Sequence, residues 1–178
     1  GINARPEAQN FFQDVEIIVV DGGSTDGTRL FLQTFQRPKT RIYVREGYHL
    51  LGDNRNFGIS QARGKYICCL DADDRLRPTY LEKALFLLES RHYDIVSTSV
   101  QCFGGSDVLW QVAPRPSLRR ITRANQFSVV AVFAKAMWEK AGGYHDQGEG
   151  KHLVAEDWNL WVRMMALGAR AGNISEAL

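Results

Sequence analysis

Cysteine is scarce in this sequence, three residues in 178, and two of them, Cys68 and Cys69, are adjacent. Neighbours on an extended strand point to opposite faces, so the set makes no disulfide framework and reads as reduced and cytosolic. Long apolar runs are also missing. The longest nearly apolar stretch, Val129 to Ala134, falls far short of the roughly 18 to 20 residues that span a bilayer, and no signal peptide opens the chain. Any membrane contact is therefore expected to be peripheral. Nor is there an excess of one charge. Lys and Arg number 22 against 20 Asp and Glu, and a net charge of +2 lacks the basic stripe of a nucleic-acid binder. What is present, 44% hydrophobic and 24% charged residues, is the balance of an ordinary globular chain. With no linker and no internal repeat, residues 1–178 read as a single domain.

The periodicity alternates between strand and helix. Val15 to Val20 is a β-branched, apolar run that stops at the turn-forming stretch Asp21-Gly22-Gly23-Ser24-Thr25-Asp26-Gly27. Leu30, Phe31, Thr34 and Phe35 then recur at helical spacing, behind possible N-cap oxygens on Ser24, Thr25 and Asp26. A strand over Arg41 to Arg45, a helix over Asn54 to Arg63 and a strand over Tyr66 to Leu70 follow. Pro78 suits the first turn of a helix running to about Ser90, and Asp94 to Val100 reads as the next strand. Gln101 to Asn125 is read as irregular and surface-facing, a candidate cover for a ligand site. Phe127 to Ala134 is expected as a strand, and a short helix should end at Gly142-Gly143. The last helix, Glu156 to Leu167, is expected to bury Trp158, Trp161, Val162 and Met165. Such alternation implies an α/β fold with a mainly parallel, mixed sheet flanked by helices.

Chemistry concentrates at strand ends. Leu70-Asp71-Ala72-Asp73-Asp74 places carboxylates where open α/β sheets bind ligands, and on an extended backbone Asp71 and Asp73 would point the same way. Two carboxylates plus diphosphate oxygens suit an octahedral Mg²⁺ or Mn²⁺. The plainer reading is a solvated acidic turn. Asp21 ends a neighbouring strand and is a ligand candidate for a base or ribose, whereas Ser24 and Asp26 read as turn and cap residues. Glu156 and Asp157 open the last helix, where carboxylates also complement the positive helix end. His145 and His152, and the arginines Arg115, Arg119, Arg120 and Arg123, read as solvated surface, with the arginines able to meet an anionic lipid.

Taken in order, VEIIVVDGGSTDGT, DNRNFGISQARGKYICCLDADD, and GGY followed by AEDWNLW resemble the three signature blocks of family 2 glycosyltransferases. The resemblance covers most of the chain. It implies a GT-A fold with a Rossmann-like nucleotide-binding half, about residues 1–100, and an acceptor-binding part, about residues 101–178. It further implies inverting transfer of a hexosyl or N-acetylhexosaminyl group from a nucleotide-diphosphate sugar, with a leaning to UDP, to a glycan or lipid-linked acceptor. On that likeness Asp21 matches the acid that contacts the base, Arg55 the basic residue near base and diphosphate, Asp71 and Asp73 the metal-binding motif, and Asp157 the general base. A cytoplasmic location, at or near the inner membrane face, goes with such a donor and acceptor.

Four departures accompany the resemblance. Gly22 stands where these enzymes often carry a second acid. Only about fourteen residues precede Val15, where a further strand and helix are usual. The downstream Arg-Trp motif of processive polymerases is absent, and another strand is expected beyond Leu178. Two other readings compete: a non-catalytic sugar-nucleotide-binding module, and a haloacid-dehalogenase-type phosphatase using Asp71 as nucleophile, whose pattern wants Thr or Val where Arg75 stands.

Overall fold

The computed structural model describes residues 15–146 and 155–178. The chain divides into two compact units, Gly1–Gly64 and Lys65–Leu178. In the first, β1 (Ile17–Asp21) and β2 (Thr40–Val44) pair in parallel, from Ile17 opposite Thr40 to Asp21 opposite Val44. The helix between them, α1 (Thr28–Thr34), makes this a strand–helix–strand crossover, and α2 (Leu51–Gln61) packs against β1. The N-cap of α1 is Gly27 without a side-chain cap bond; of the three candidate oxygens, Asp26 Oδ1 accepts from the Thr28 amide at 2.9 Å. Glu16 joins the far ends of this unit. Its carboxylate accepts from the Arg63 amide at 2.6 Å, the Gly64 amide at 3.1 Å and Arg41 Nη2 at 2.6 Å.

The second unit is a five-stranded mixed sheet covered by helices. Its strands are β3 (Tyr66–Cys68), β4 (Ile95–Gln101), β5 (Leu109–Trp110), β6 (Val132–Ala134) and β7 (Ala171–Ala177), in the order β3-β6-β4-β5 with β7 also on β4. The β4–β7 ladder is parallel, and the β3–β6, β4–β6 and β4–β5 ladders are antiparallel. The helices are α3 (Tyr80–Arg91), α4 (Leu118–Ile121), α5 (Lys135–Ala141) and α6 (Glu156–Ala166). One core cluster joins Tyr80, Ala84 and Leu88 of α3 to Val96, Val130, Val132 and Ile174. Tyr80 is fully enclosed, and its hydroxyl donates to the Val130 carbonyl at 2.7 Å, which satisfies a polar group that burial would otherwise penalise. A second cluster sets Phe127, Phe133 and Tyr144 edge-on around the Trp161 ring.

Several expectations need correction. The strand expected over Phe127 to Ala134 is confined to Val132–Ala134, because the chain turns before it, with the Ala131 amide bonded to the Ser128 carbonyl at 3.1 Å. The stretch from Gln101 to Asn125 is anchored rather than wholly surface-facing: β5 pairs with β4, and Val112 and Ile121 are buried. β7 (Ala171–Ala177) is a strand in a stretch where the sequence reading places no element. The buried face of α6 is Leu160, Trp161 and Met164, about one residue out of phase with the stripe expected. Gly142 closes α5 in the left-handed conformation at φ 78°, as a helix-ending glycine should. Arg115, Arg119, Arg120, Arg123 and His145 are exposed, while His152 and residues 1–14 lie outside the described residues. Among the described residues no helix is long and apolar enough to cross a membrane.

Candidate active site

In the first unit, Asp21 closes β1 and is 5% exposed. Its Oδ1 accepts from the Ser24 amide at 3.1 Å and its Oδ2 pairs with Arg29 Nε at 3.1 Å. Burial opposes ionisation of this carboxyl, but the hydrogen bonds from Ser24 and the Arg29 charge outweigh it and hold Asp21 below the usual carboxylate range. Arg29 is in turn fixed by the Arg45 carbonyl at 3.0 Å and by Glu46. Asp21 therefore has a structural role, organising the turn that leads into α1. Sequence reasoning missed Arg29, whose signal was its position eight residues on, at the start of the following helix. Arg55 is also nearly buried, at 9% exposure, on the same helix face as Gly52 and Ile59.

The acids of the second unit sit differently from the strand-based expectation. β3 ends at Cys68, and Asp71 to Asp74 form a tight turn closed by the Asp74 amide on the Asp71 carbonyl at 3.1 Å. Strand pleating thus does not align Asp71 with Asp73; the turn gathers three carboxylates instead. Burial, followed by the charges of Asp71 and Asp73, raises the Asp74 carboxyl above its ordinary range. Asp74 was absent from the residues singled out by sequence, although its place in the Asp-Asp pair was visible. Just after the turn, the Arg75 guanidinium lies 5.2 Å over the Phe103 ring.

The turn carries Asp71, Asp73 and Asp74, and an ion shared with a diphosphate needs only one or two protein carboxylates. Among the described residues no group of three or more His, Cys, Asp or Glu side chains is placed to hold a metal ion, so any ion here would need ligands from a diphosphate.

Asp157 lies half-buried in the first turn of α6, whose N-cap, Ala155, has no side-chain cap bond. Its Oδ1 accepts from the Trp158 amide at 2.6 Å and its Oδ2 from Asn125 Nδ2 at 3.3 Å. Asn125 is itself fixed by the Phe127 amide at 3.2 Å. A carboxylate with one donor on each oxygen is oriented yet keeps lone pairs for another proton. Asn125 was unrecognised because it closes the segment read as irregular. Trp158 is not a core residue: its Nε1 donates to the Ile121 carbonyl at 2.6 Å, and its ring, with Thr122, Ala155, Asn159 and Val162, lines an open hollow of about 330 Å³.

The glycosyl transferase family 2 profile matches residues 7–143. The chain belongs to this family. Among curated family members it is 28% identical over 177 residues to the putative glycosyltransferase EpsE of Bacillus subtilis, a match covering 94% of this chain and 62% of EpsE. It is 27% identical over 173 residues to the Escherichia coli UDP-Gal:alpha-D-GlcNAc-diphosphoundecaprenol beta-1,3-galactosyltransferase, covering 93% and 61%. The chain thus spans about three fifths of the length of these relatives. Among solved structures, Staphylococcus aureus TarS 1–349 in complex with UDP-GlcNAc aligns with a TM-score of 0.75 at 21% identity, covering 93% of this chain and 48% of that one. At that identity the likeness speaks to the fold, a GT-A glycosyltransferase fold.

Proposed function

We propose that this family 2 domain transfers a hexosyl or N-acetylhexosaminyl group from a nucleotide-diphosphate sugar, UDP-linked, to an acceptor hydroxyl with inversion at the anomeric carbon. The carrying observation is the Asp71–Asp74 turn just after β3, which sets three carboxylates within four residues and is closed by the Asp74 amide on the Asp71 carbonyl at 3.1 Å. UDP as the nucleotide is supported by the UDP-GlcNAc complex of TarS and by the UDP-Gal donor in the name of the E. coli relative.

Asp71 and Asp73 would hold Mn²⁺ or Mg²⁺ together with the donor diphosphate, and the ion would supply charge neutralisation of the leaving group. A Mn²⁺ complex of a structural neighbour, the Pyrobaculum calidifontis mannosyltransferase PcManGT, is in keeping with this choice. Asp21 would accept from the base, and Arg55 would add positive charge toward the diphosphate. Asp157 would take the proton of the acceptor hydroxyl as its oxygen attacks the sugar. The nucleotide diphosphate then leaves from the opposite face, and a single displacement inverts the centre. Asn125 and the Trp158 amide keep that carboxylate oriented. The hollow lined by Trp158 and Val162, on the same helix as Asp157, would offer an apolar wall for a sugar acceptor.

The lipid-diphosphate acceptor named for the E. coli relative makes a lipid-linked glycan a reasonable acceptor class, which would place the protein in the cytoplasm at the inner membrane face. The test is a paired assay of the chain with UDP-sugars: calorimetry with and without Mn²⁺, and release of UDP with acceptor present. Transfer that requires the divalent ion and Asp157 supports the reading. Tight donor binding with neither transfer nor donor hydrolysis would instead identify a binding module.

A further inference from the structure

Between Phe103 and Arg123 the second unit presents apolar and basic side chains that the unit itself leaves bare. β5 returns alongside the carboxyl end of β4 as a two-stranded ribbon, continued by the Cys102 amide on the Val108 carbonyl at 2.9 Å. Neighbours on a strand point to opposite faces, yet Leu109 is 47% and Trp110 39% exposed, so the ribbon stands clear of the unit on both faces. Phe103 and Val108 add two more exposed apolar side chains. Arg115, Arg119, Arg120 and Arg123 follow, all exposed, and the sequence has no acid from Val108 to Trp138. Among the described residues none of these four arginines has an ion-pair partner. Clustered apolar side chains beside uncompensated cations mark a surface for an anionic, amphipathic partner.

Both ends of this segment reach the candidate site. β3 and β4 each run antiparallel to β6, so their carboxyl ends share one edge of the sheet, where the Asp71–Asp74 turn follows β3. The Arg75 guanidinium, next to that turn, lies over the Phe103 ring, while at the other end the Ile121 carbonyl holds Trp158 and Asn125 binds Asp157. We propose that the Phe103–Arg123 segment is the surface by which this domain docks on an anionic phospholipid bilayer, with Phe103 and Trp110 seated among the headgroups and the four arginines against lipid phosphates. Charge complementarity selects this occupant. Each basic side chain near an anionic leaflet strengthens binding roughly fivefold, and an amphipathic Trp ring suits the membrane interface. A second copy of the chain, by contrast, would set the same arginines against each other across a two-fold contact. The docking stands on these residues alone; its use, presenting a lipid-linked acceptor hydroxyl to Asp157, rests on the transfer reading above.

The test is co-sedimentation of the chain with vesicles of phosphatidylcholine alone and of equal parts phosphatidylcholine and phosphatidylglycerol. Wild type should partition onto the anionic vesicles, less so as salt is added, and only weakly onto the neutral ones. Arg119→Gln with Arg120→Gln should weaken that partition by roughly tenfold or more, with the melting temperature unchanged because both side chains are exposed. As a control, Arg91→Gln with Arg170→Gln removes the same charge just ahead of β4 and β7, at the opposite sheet edge, and should change partition by less than about twofold. Trp emission should shift to the blue on anionic vesicles, and Trp110→Phe should abolish the shift while keeping most of the partition. Equal partition onto both vesicles, an unchanged Arg119→Gln/Arg120→Gln variant, or an equal loss in the control overturns the proposal. So does a dimer in analytical ultracentrifugation that Trp110→Ser dissociates, since a second copy then covers the ribbon. Calorimetry with UDP separates this from the donor reading: partition without UDP binding overturns the donor reading and leaves the docking surface standing, and UDP binding without partition does the reverse.

Discussion

Removing the Asp21 carboxylate should cost stability as well as ligand affinity, and its two oxygens set the size of the effect. Asp21→Ala strips the acceptor from the Ser24 amide and from Arg29 Nε, both held at 3.1 Å. Bonds to a charged group contribute about 1.5–3 kcal/mol each when buried, but the Arg29 side chain is 31% exposed and can turn to water, so the Arg29 share is small. A loss of about 2 kcal/mol follows, or roughly 4–8 °C in melting temperature for a chain of this size. Asp21→Asn keeps an acceptor for Ser24 and loses the ion pair, so about half that loss is expected. The pH dependence carries the sign. The folded-state pKa of Asp21 is depressed, so its contribution is complete above the ordinary carboxylate range and disappears as pH falls through the depressed value. Thermal unfolding of wild type and Asp21→Asn from about pH 7 down to about pH 3 should therefore show a gap that narrows on acidification. A gap independent of pH, or an Asp21→Asn chain as stable as wild type at neutral pH, would refute the electrostatic reasoning.

Asp73→Ala should weaken UDP about tenfold or more in Mn²⁺ and leave affinity in chelator unchanged, read by calorimetry; equal loss in both conditions would detach Asp73 from the metal. Because Asp73 is exposed, its removal should leave the melting temperature within a degree or two of wild type. Tyr80→Phe should lower stability by about 1 kcal/mol without affecting nucleotide binding, because it leaves the Val130 carbonyl with only the weak Cys68 thiol donor at 3.4 Å; denaturant unfolding alongside UDP titration separates the two effects.

Much of the fold was legible because local signals agreed with their surroundings. β1 was readable from a β-branched run ending in a glycine-rich turn, α5 from its closing glycines, and the start of α6 from its acids. β7 was not, since Ala171–Ala177 reads as polar and mixed, and its strand state comes from backbone pairing with β4, which composition does not record. The phase of α6 was missed for a related reason. Trp158 looks like core by hydropathy, but its Nε1 is drawn to the Ile121 carbonyl and its ring lines an open hollow, which shifts the buried face to Leu160, Trp161 and Met164. At the candidate site the acids were identifiable by type and order. Their supports, Arg29 and Asn125, were not, because they act across sequence gaps of eight and thirty-two residues.

Asp157 as the base of an inverting transfer is the central claim, and one NMR experiment addresses it directly. The wild-type chain and Asp157→Asn are incubated with a UDP-sugar, Mn²⁺ and acceptor, and the anomeric configuration and rate of product formation are followed. Asn preserves shape at this helix start, so donor affinity and folding should hold. The predicted result is an inverted product from wild type and a rate lower by roughly a hundred- to ten-thousand-fold in Asp157→Asn, the usual cost of a lost general base. A retained configuration, or an Asp157→Asn chain that transfers sugar at the wild-type rate, would contradict it.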